Sequence, residues 1–145
     1  MAVGRICVRE VDLAEIDESA QVAAQRMHDR NVGTLIVANA QRKPIGIVTD
    51  RDLAVRVVAK GRNPVETTVG EVMTTDLKTV EEQTSLEDAL RVMRSGPFRR
   101  VPVTDAGGTL VGLLSVDDVL DLLRQEFNEI GQLLERESPR GLASS

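Results

Sequence analysis

Gly46-Ile47-Val48-Thr49-Asp50-Arg51-Asp52-Leu53 decides the fold. A glycine and two apolar residues lead into a hydroxyl residue, and a carboxylate stands three positions after the hydroxyl. The same grammar returns as Gly112-Leu113-Leu114-Ser115-Val116-Asp117-Asp118-Val119, displaced by 66 residues. That displacement lays residues 3–60 on residues 69–126 without a gap. Val3-Gly4 meets Val69-Gly70, Glu15 meets Glu81, Ser19 meets Ser85, Ala23 meets Ala89, Met27 meets Met93 and Val37 meets Val103. Conservative pairs fill the spaces: Ile6 with Val72, Ile45 with Val111, Ile47 with Leu113, Thr49 with Ser115. A unit of about 60 residues buries too little surface to be secure alone. Two copies packed together solve that problem and leave matched clefts along a pseudo-twofold seam. The function is to be sought between the copies.

Each copy predicts the order strand–helix–strand–strand–helix. An extended segment comes first (Val11–Glu15, Leu77–Glu81). Capping residues follow, Asp17-Glu18-Ser19 and Thr84-Ser85, with Glu87 and Asp88 in the first turn of the second helix. Val22, Ala23, Met27 and Leu86, Ala89, Leu90, Met93 recur at helical spacing. The helices stop near Asn31-Val32-Gly33 and Ser95-Gly96-Pro97. Thr34–Ala38 and Arg100–Thr104 read as strands, as do Ile45–Thr49 and Leu110–Ser115. Asn39–Pro44 and Asp105-Ala106-Gly107-Gly108 supply the turns. A last helix opens at Asp50 with Leu53, Val57 and Val58 on one face; its counterpart runs from Val116 through Val119, Leu120 and Leu123. Residues 61–68 form the linker. The second copy's last helix overruns its template, with Phe127, Ile130, Leu133 and Leu134 extending the apolar stripe over 127–137. Residues 138–145 read as a flexible tail.

Composition narrows the function. Phe98 and Phe127 are the only aromatic residues, which weakens any reading that needs the stacking platforms of single-strand nucleic-acid binding. A net charge of −5 likewise lacks the excess of Lys and Arg that phosphate backbones require. No apolar run approaches the roughly 20 residues that span a bilayer, and the N-terminus lacks a signal-peptide h-region. Cys7 is the single cysteine, so no disulfide forms within the chain, which fits a reducing cytoplasm. We expect a cytoplasmic protein with no nucleic-acid or membrane partner.

The tandem motifs resemble the CBS-domain pair, or Bateman module. The marks are Gly46–Leu53 and Gly112–Val119, with Val72-Met73-Thr74 as a repeat opening and Arg99-Arg100-Val101-Pro102-Val103 as a second strand. The resemblance covers residues 3–126. It implies an α+β fold in which two β-α-β-β-α repeats pack through their sheets with pseudo-twofold symmetry and a three-layer character. It also implies a flat homodimeric disc formed through the helices.

Thr49 and Asp52, and Ser115 and Asp118, place a hydroxyl at a strand end and a carboxylate in the next helical turn. A carboxylate accepts both hydrogen bonds of a vicinal diol, the pattern of a ribose. In the family this aspartate holds the ribose of AMP, ADP, ATP or a related adenosyl ligand, and cations ahead of the second strand face the pocket of the other repeat. Carried onto this chain, Arg99 and Arg100, with Arg51, converge as phosphate ligands on the Asp52 pocket. The Asp118 pocket has no matching cation and gains Asp117, so it is the weaker one. The same residues also admit a local reading: Thr49 and Ser115 end strands, Asp52 and Asp118 favour a helix N-terminus, and the arginines pair with surface acids.

Catalysis finds no support. His28 lies among Arg26, Asp29 and Arg30 on a helix, Cys7 corresponds to Met73 of the other copy, and no His/Cys cluster has metal-ligand spacing. We expect no catalytic residues, no metal and no required cofactor. The expected function is a regulatory module that senses AMP, ADP or ATP and acts through homodimerisation and contacts with a protein partner. The alternative is a ligand-free structural or protein-docking module. NAD and S-adenosylmethionine also carry a ribose diol; coenzyme A, with a 3′-phosphate, fits less well.

Overall fold

The structure, a computed structural model, describes residues 1–96 and 98–137. Pro97 of the expected helix stop and the expected tail, 138–145, lie outside the described residues.

Two three-stranded sheets of one topology make up the chain. In the first, β1 (Leu13–Ala14) runs parallel to β2 (Thr34–Ala38), and β2 pairs antiparallel with β3 (Pro44–Thr49). In the second, β4 (Val80–Glu81), β5 (Arg100–Thr104) and β6 (Leu110–Ser115) repeat the pattern. Even the irregularities match, with a register shift at Val37/Ala38 and another at Val103/Thr104. The helices α1 (Ala20–Arg30) and α4 (Leu86–Arg94) begin where Ser19 and Ser85 accept the backbone N–H of Val22 and Asp88, each at 3.1 Å. Asn31, at φ 53°, takes the left-handed conformation that ends α1. Leu35 and Val37 face the first core, Val101 and Val103 the second. Ile36 and Pro102, on the opposite faces of β2 and β5, are also fully buried. Both sheets are therefore covered on both sides, the three-layer arrangement expected.

Repeats by sequence are not the units by packing. The segment ahead of β1 crosses to the second copy: Val3 N–H donates to Thr84 C=O and Gly4 N–H to Glu82 C=O, both at 2.9 Å, and Val8 bridges to Leu113. Val3 sits in the second core. The linker returns the exchange. The helix α3 (Val69–Val72) puts Val69 and Val72 into the first core, Gly70 N–H donates to Ile16 C=O at 2.8 Å, and Thr74 bridges to Ile47. Two glycines make the crossing possible. A Cβ on Gly112 would lie 2.6 Å from Cys7 Sγ, and a Cβ on Gly46 would collide with Met73 Sδ.

The last helices depart from their expected faces. In the first copy α2 (Asp50–Leu53) continues as a π-helical turn, Ala54–Val58, in which Ala59 N–H reaches Ala54 C=O at 2.9 Å. The wider turn carries Val58 off the face shared by Leu53 and Val57. Val57 is buried and Val58 is 77% exposed. In the second copy α5 (Val116–Glu137) buries Val119, half-buries Leu122, and leaves Leu120 and Leu123 outside. Those two leucines join Phe127, Ile130 and Leu134 at alternating steps of three and four residues, an exposed heptad seam. The stripe does not fold back on its own module. No helix among the described residues is long and apolar enough to cross a membrane.

Candidate functional site

Where β3 hands over to α2, Thr49 and Asp52 lock the junction. Thr49 N–H donates to Asp52 Oδ2 at 2.9 Å, and Asp52 N–H donates to Thr49 Oγ1 at 3.2 Å. Ser115 and Asp118 repeat this at 3.0 and 3.2 Å between β6 and α5. The motif is thus a capping box in both copies, and the local reading of these residues holds. It does not exhaust the carboxylate. Oδ2 keeps a second lone pair, and among the described residues Oδ1 has no hydrogen bond and one ion-pair neighbour, Arg56 Nε at 3.9 Å. The Asp52 side chain keeps 15% of its exposure, and it opens on a cleft.

That cleft, of about 310 Å³, lies between the copies. Its walls hold Thr49, Arg51 and Asp52 from the first copy, Phe98, Arg99 and Arg100 from the second, and Thr74, Asp76, Leu77 and Lys78 from the crossing segment. The five residues read from the sequence as one site come together here. Sequence reasoning missed Lys78, a fourth cation, and Phe98, the one aromatic face in the cleft. The 66-residue offset was the available signal for both, because it places Lys78 and Phe98 opposite Asp12 and Val32, which line the sister cleft.

The sister cleft, about 250 Å³, holds Ser115 and Asp118 with Val8, Glu10, Val11, Asp12, Val32, Gly33 and Thr34. Two expectations fail here. Arg100 lines this cleft as well as the first, so a cation is present. The added negative charge comes from Glu10 and Asp12, while Asp117 is exposed and off the wall. The reason is the crossing of the N-terminal segment: Val8 pairs with Leu113 of the second copy while Asp12 C=O accepts the Ile36 N–H of the first, so residues 8–12 run along the cleft between them. Asp12 is itself held by Arg30 Nε at 2.8 Å, a contact that raises the Arg30 pKa above its ordinary value.

The family model for the CBS domain matches residues 3–59 and again 69–125. The chain belongs to the CBS-domain family. As a tandem CBS pair it is similar to the uncharacterized protein MK0525 of Methanopyrus kandleri, 33% identical over 122 residues, 84% of this chain and 62% of that one. The chain therefore spans less than two thirds of that relative. Among solved structures it is similar to the CBS-domain containing protein ATU1752 from Agrobacterium tumefaciens, with 28% identity, a TM-score of 0.73, and coverage of 84% of this chain and 98% of that one. The CBS pair of protein MJ0100, crystallised with 5′-methylthioadenosine and S-adenosyl-L-methionine, shares the fold at 24% identity and a TM-score of 0.76, covering 87% and 98%.

The remaining candidates stay apart from these clefts. His28 is exposed on α1. Cys7 is partly buried against Gly112, and desolvation pushes its thiol above the ordinary value. Gly107 and Gly108 belong to a turn that Asp105 Oδ1 organises by accepting the N–H of Gly107 and Thr109, each at 2.9 Å. No metal-ligating cluster occurs among the described residues.

Proposed function

We propose that this CBS pair senses an adenine nucleotide in the Thr49–Asp52 cleft. One observation carries the reading: four cations, Arg51, Lys78, Arg99 and Arg100, face one cleft whose floor is a ribose-competent carboxylate. Oδ1 of Asp52 takes the diol, the half-buried Phe98 and apolar Ile47 and Leu77 flank the base, and the guanidiniums take the phosphates, the bidentate geometry that arginine suits. AMP, ADP and ATP share these features. The protein acts by binding and not by catalysis, needs no cofactor, and works in the cytoplasm.

The signal passes through assembly. The exposed seam of Leu120, Leu123, Phe127, Ile130 and Leu134 runs along a helix about 33 Å long, and a heptad seam is self-complementary between two copies. The protein is accordingly a homodimer, with the same helices open to a protein partner once paired. Adenosyl ligands in the MJ0100 pair support the general use of this scaffold. The docking-module alternative is favoured by the capping boxes, which give the motif a structural purpose without any ligand.

Isothermal titration of AMP and ATP into wild type and Asp52→Asn separates the two. Asparagine retains an oxygen that accepts the Thr49 N–H but lacks the charge that holds a diol. Wild type should bind, Asp52→Asn should lose the binding with its fold intact, and Asp118→Asn should retain it. No heat with either nucleotide, or an unchanged affinity in Asp52→Asn, would leave the docking module as the better account.

A further inference from the structure

One arginine ties the floor of the Thr49–Asp52 cleft to its wall. Arg56 stands in the middle of the π-helical turn Ala54–Val58. Its Nη1 donates to the carbonyl oxygens of Val72 at 2.9 Å and Met73 at 3.1 Å, while its Nε faces Asp52 Oδ1 at 3.9 Å. Val72 and Met73 close α3, where carbonyls lose their helical partners. Thr74, the next residue, lines the cleft and pairs with Ile47 through two backbone hydrogen bonds, at 2.7 and 3.0 Å. The guanidinium thus reaches from the motif carboxylate to the segment that crosses between the copies.

Capping α3 occupies only one side of this guanidinium. The group is planar and rigid, with donors on two sides, and its second side meets Asp52. Oδ2 of Asp52 is already held by the Thr49 N–H at 2.9 Å. One carboxylate oxygen is therefore hydrogen-bonded and the other faced by a cation, which fixes the rotation of the carboxylate plane. At 3.9 Å the cation lies within ion-pair range and beyond hydrogen-bond range. It orients Oδ1 without occupying its lone pairs, which stay open to a ligand.

The second copy is built without this link. The 66-residue offset sets Leu122 opposite Arg56, and Ile6 and Cys7 opposite Val72 and Met73. There α5 runs on as an α-helix through residues 120–124, where the first copy makes its π-helical turn. No ion pair among the described residues involves Asp118. The capping box forms in both copies all the same, so the strand–helix junction does not require the arginine. Single π-helical turns gather at functional sites, and this one coincides with the residue that faces the carboxylate.

We infer that Arg56 is the positioning residue for Asp52 and sets how strongly the cleft discriminates for a ribose diol. The inference rests on the nucleotide reading of this cleft and adds the side chain that makes its carboxylate ready. A carboxylate fixed in advance gives up little freedom when a diol docks, and that saving appears as affinity for the diol alone.

Titrations of AMP and of 2′,3′-dideoxy-AMP into the full chain test it, with wild type, Arg56→Leu and Arg56→Lys. Leucine is the residue the second copy carries at this position. Wild type should prefer AMP, and in Arg56→Leu that preference should shrink about tenfold, the scale of one hydrogen bond, with dideoxy-AMP affinity nearly unmoved. Arg56→Lys, whose single ammonium cannot serve α3 and Asp52 together, should lose a smaller part, and it carries the test if Arg56→Leu fails to fold by circular dichroism. A folded variant that weakens both ligands equally, or keeps the wild-type preference, makes Arg56 a cap of α3 only and overturns the inference while the nucleotide reading stands. No binding of AMP by wild type overturns both.

Discussion

Substituting alanine at Gly112 tests the exchange of N-terminal segments on which both clefts depend. A Cβ there would stand 2.6 Å from Cys7 Sγ and 2.9 Å from the Val8 carbonyl oxygen. The sulfur can swing aside, but the carbonyl cannot. Val8 and Leu113 exchange two backbone hydrogen bonds, at 3.0 and 2.9 Å, that fix that strip of chain against β6. Forcing a methyl group into such a contact costs about 1–3 kcal/mol. Alanine returns roughly 0.4–1 kcal/mol by restricting the unfolded chain. A net loss of about 1–2 kcal/mol should lower the melting temperature by roughly 3–8 °C in a domain of this size. At Gly46 the nearest atoms all belong to the flexible Met73 side chain, so Gly46→Ala should cost under about 1 kcal/mol. Thermal unfolding followed by circular dichroism measures both. Adding Cys7→Ala to Gly112→Ala should restore only part of the loss, because the Val8 carbonyl remains. Equal, small effects at the two glycines, or complete rescue by Cys7→Ala, would refute the packing of residues 2–8 on β6.

Two further outcomes follow from the packing. Glu18 accepts hydrogen bonds from Arg26 and from the Glu15 N–H, and the Arg26 bond above all holds its pKa below the ordinary 4.5. Because the folded value is depressed, this stabilisation is present above the unfolded pKa and lost as pH falls through the folded one. Melting temperatures recorded from neutral pH to below 4.5 should therefore fall faster for wild type than for Glu18→Gln, and parallel curves would exclude the linkage. On the helix seam, Phe127→Ser with Ile130→Ser removes two side chains that are 71% and 52% exposed. Light scattering should report twice the 15.8 kDa chain mass for wild type and the single mass for the variant, with circular dichroism showing an intact fold in the monomer. A wild type that is monomeric at high concentration removes the seam as a dimer contact.

The internal repeat made most of the architecture legible. Strands β2, β5 and β6 have sequence signals at both ends, hydroxyl caps open α1 and α4, and Asn31 closes α1. Three features escaped for physical reasons. The exchange of residues 2–8 and 67–74 is a long-range choice between two similar docking edges, and the repeat gives both segments the same local pattern, Val3-Gly4 and Ile6 matching Val69-Gly70 and Val72. The π-helical turn at Ala54–Val58 rotates Val58 into solvent, a shift that a 3.6-residue period cannot anticipate. Lys78 and Arg100 reach their clefts only because the crossing segment and β5 lie between the copies. Arg51, Arg99 and Arg100 were legible as a group through the family resemblance, whereas the second role of Arg100 required the geometry.

The capping boxes explain why the two clefts match at one end and diverge at the other. Losing a cap costs about 1 kcal/mol, so Thr49–Asp52 and Ser115–Asp118 each sustain a strand–helix junction whatever ligand is present. Their recurrence in both copies is therefore structural support first, and by itself says little about ligands. No such duty falls on the pairs Gly33 and Arg99, Thr34 and Arg100, or Asp12 and Lys78. Arg99, Arg100 and Lys78 are exposed, and none of the three takes part in an ion pair among the described residues. A folding requirement gives no reason for them to face one cleft. On the proposed reading, the choice of ligand in this CBS pair is written at positions the fold leaves free, and the frame that presents them is written in the repeat.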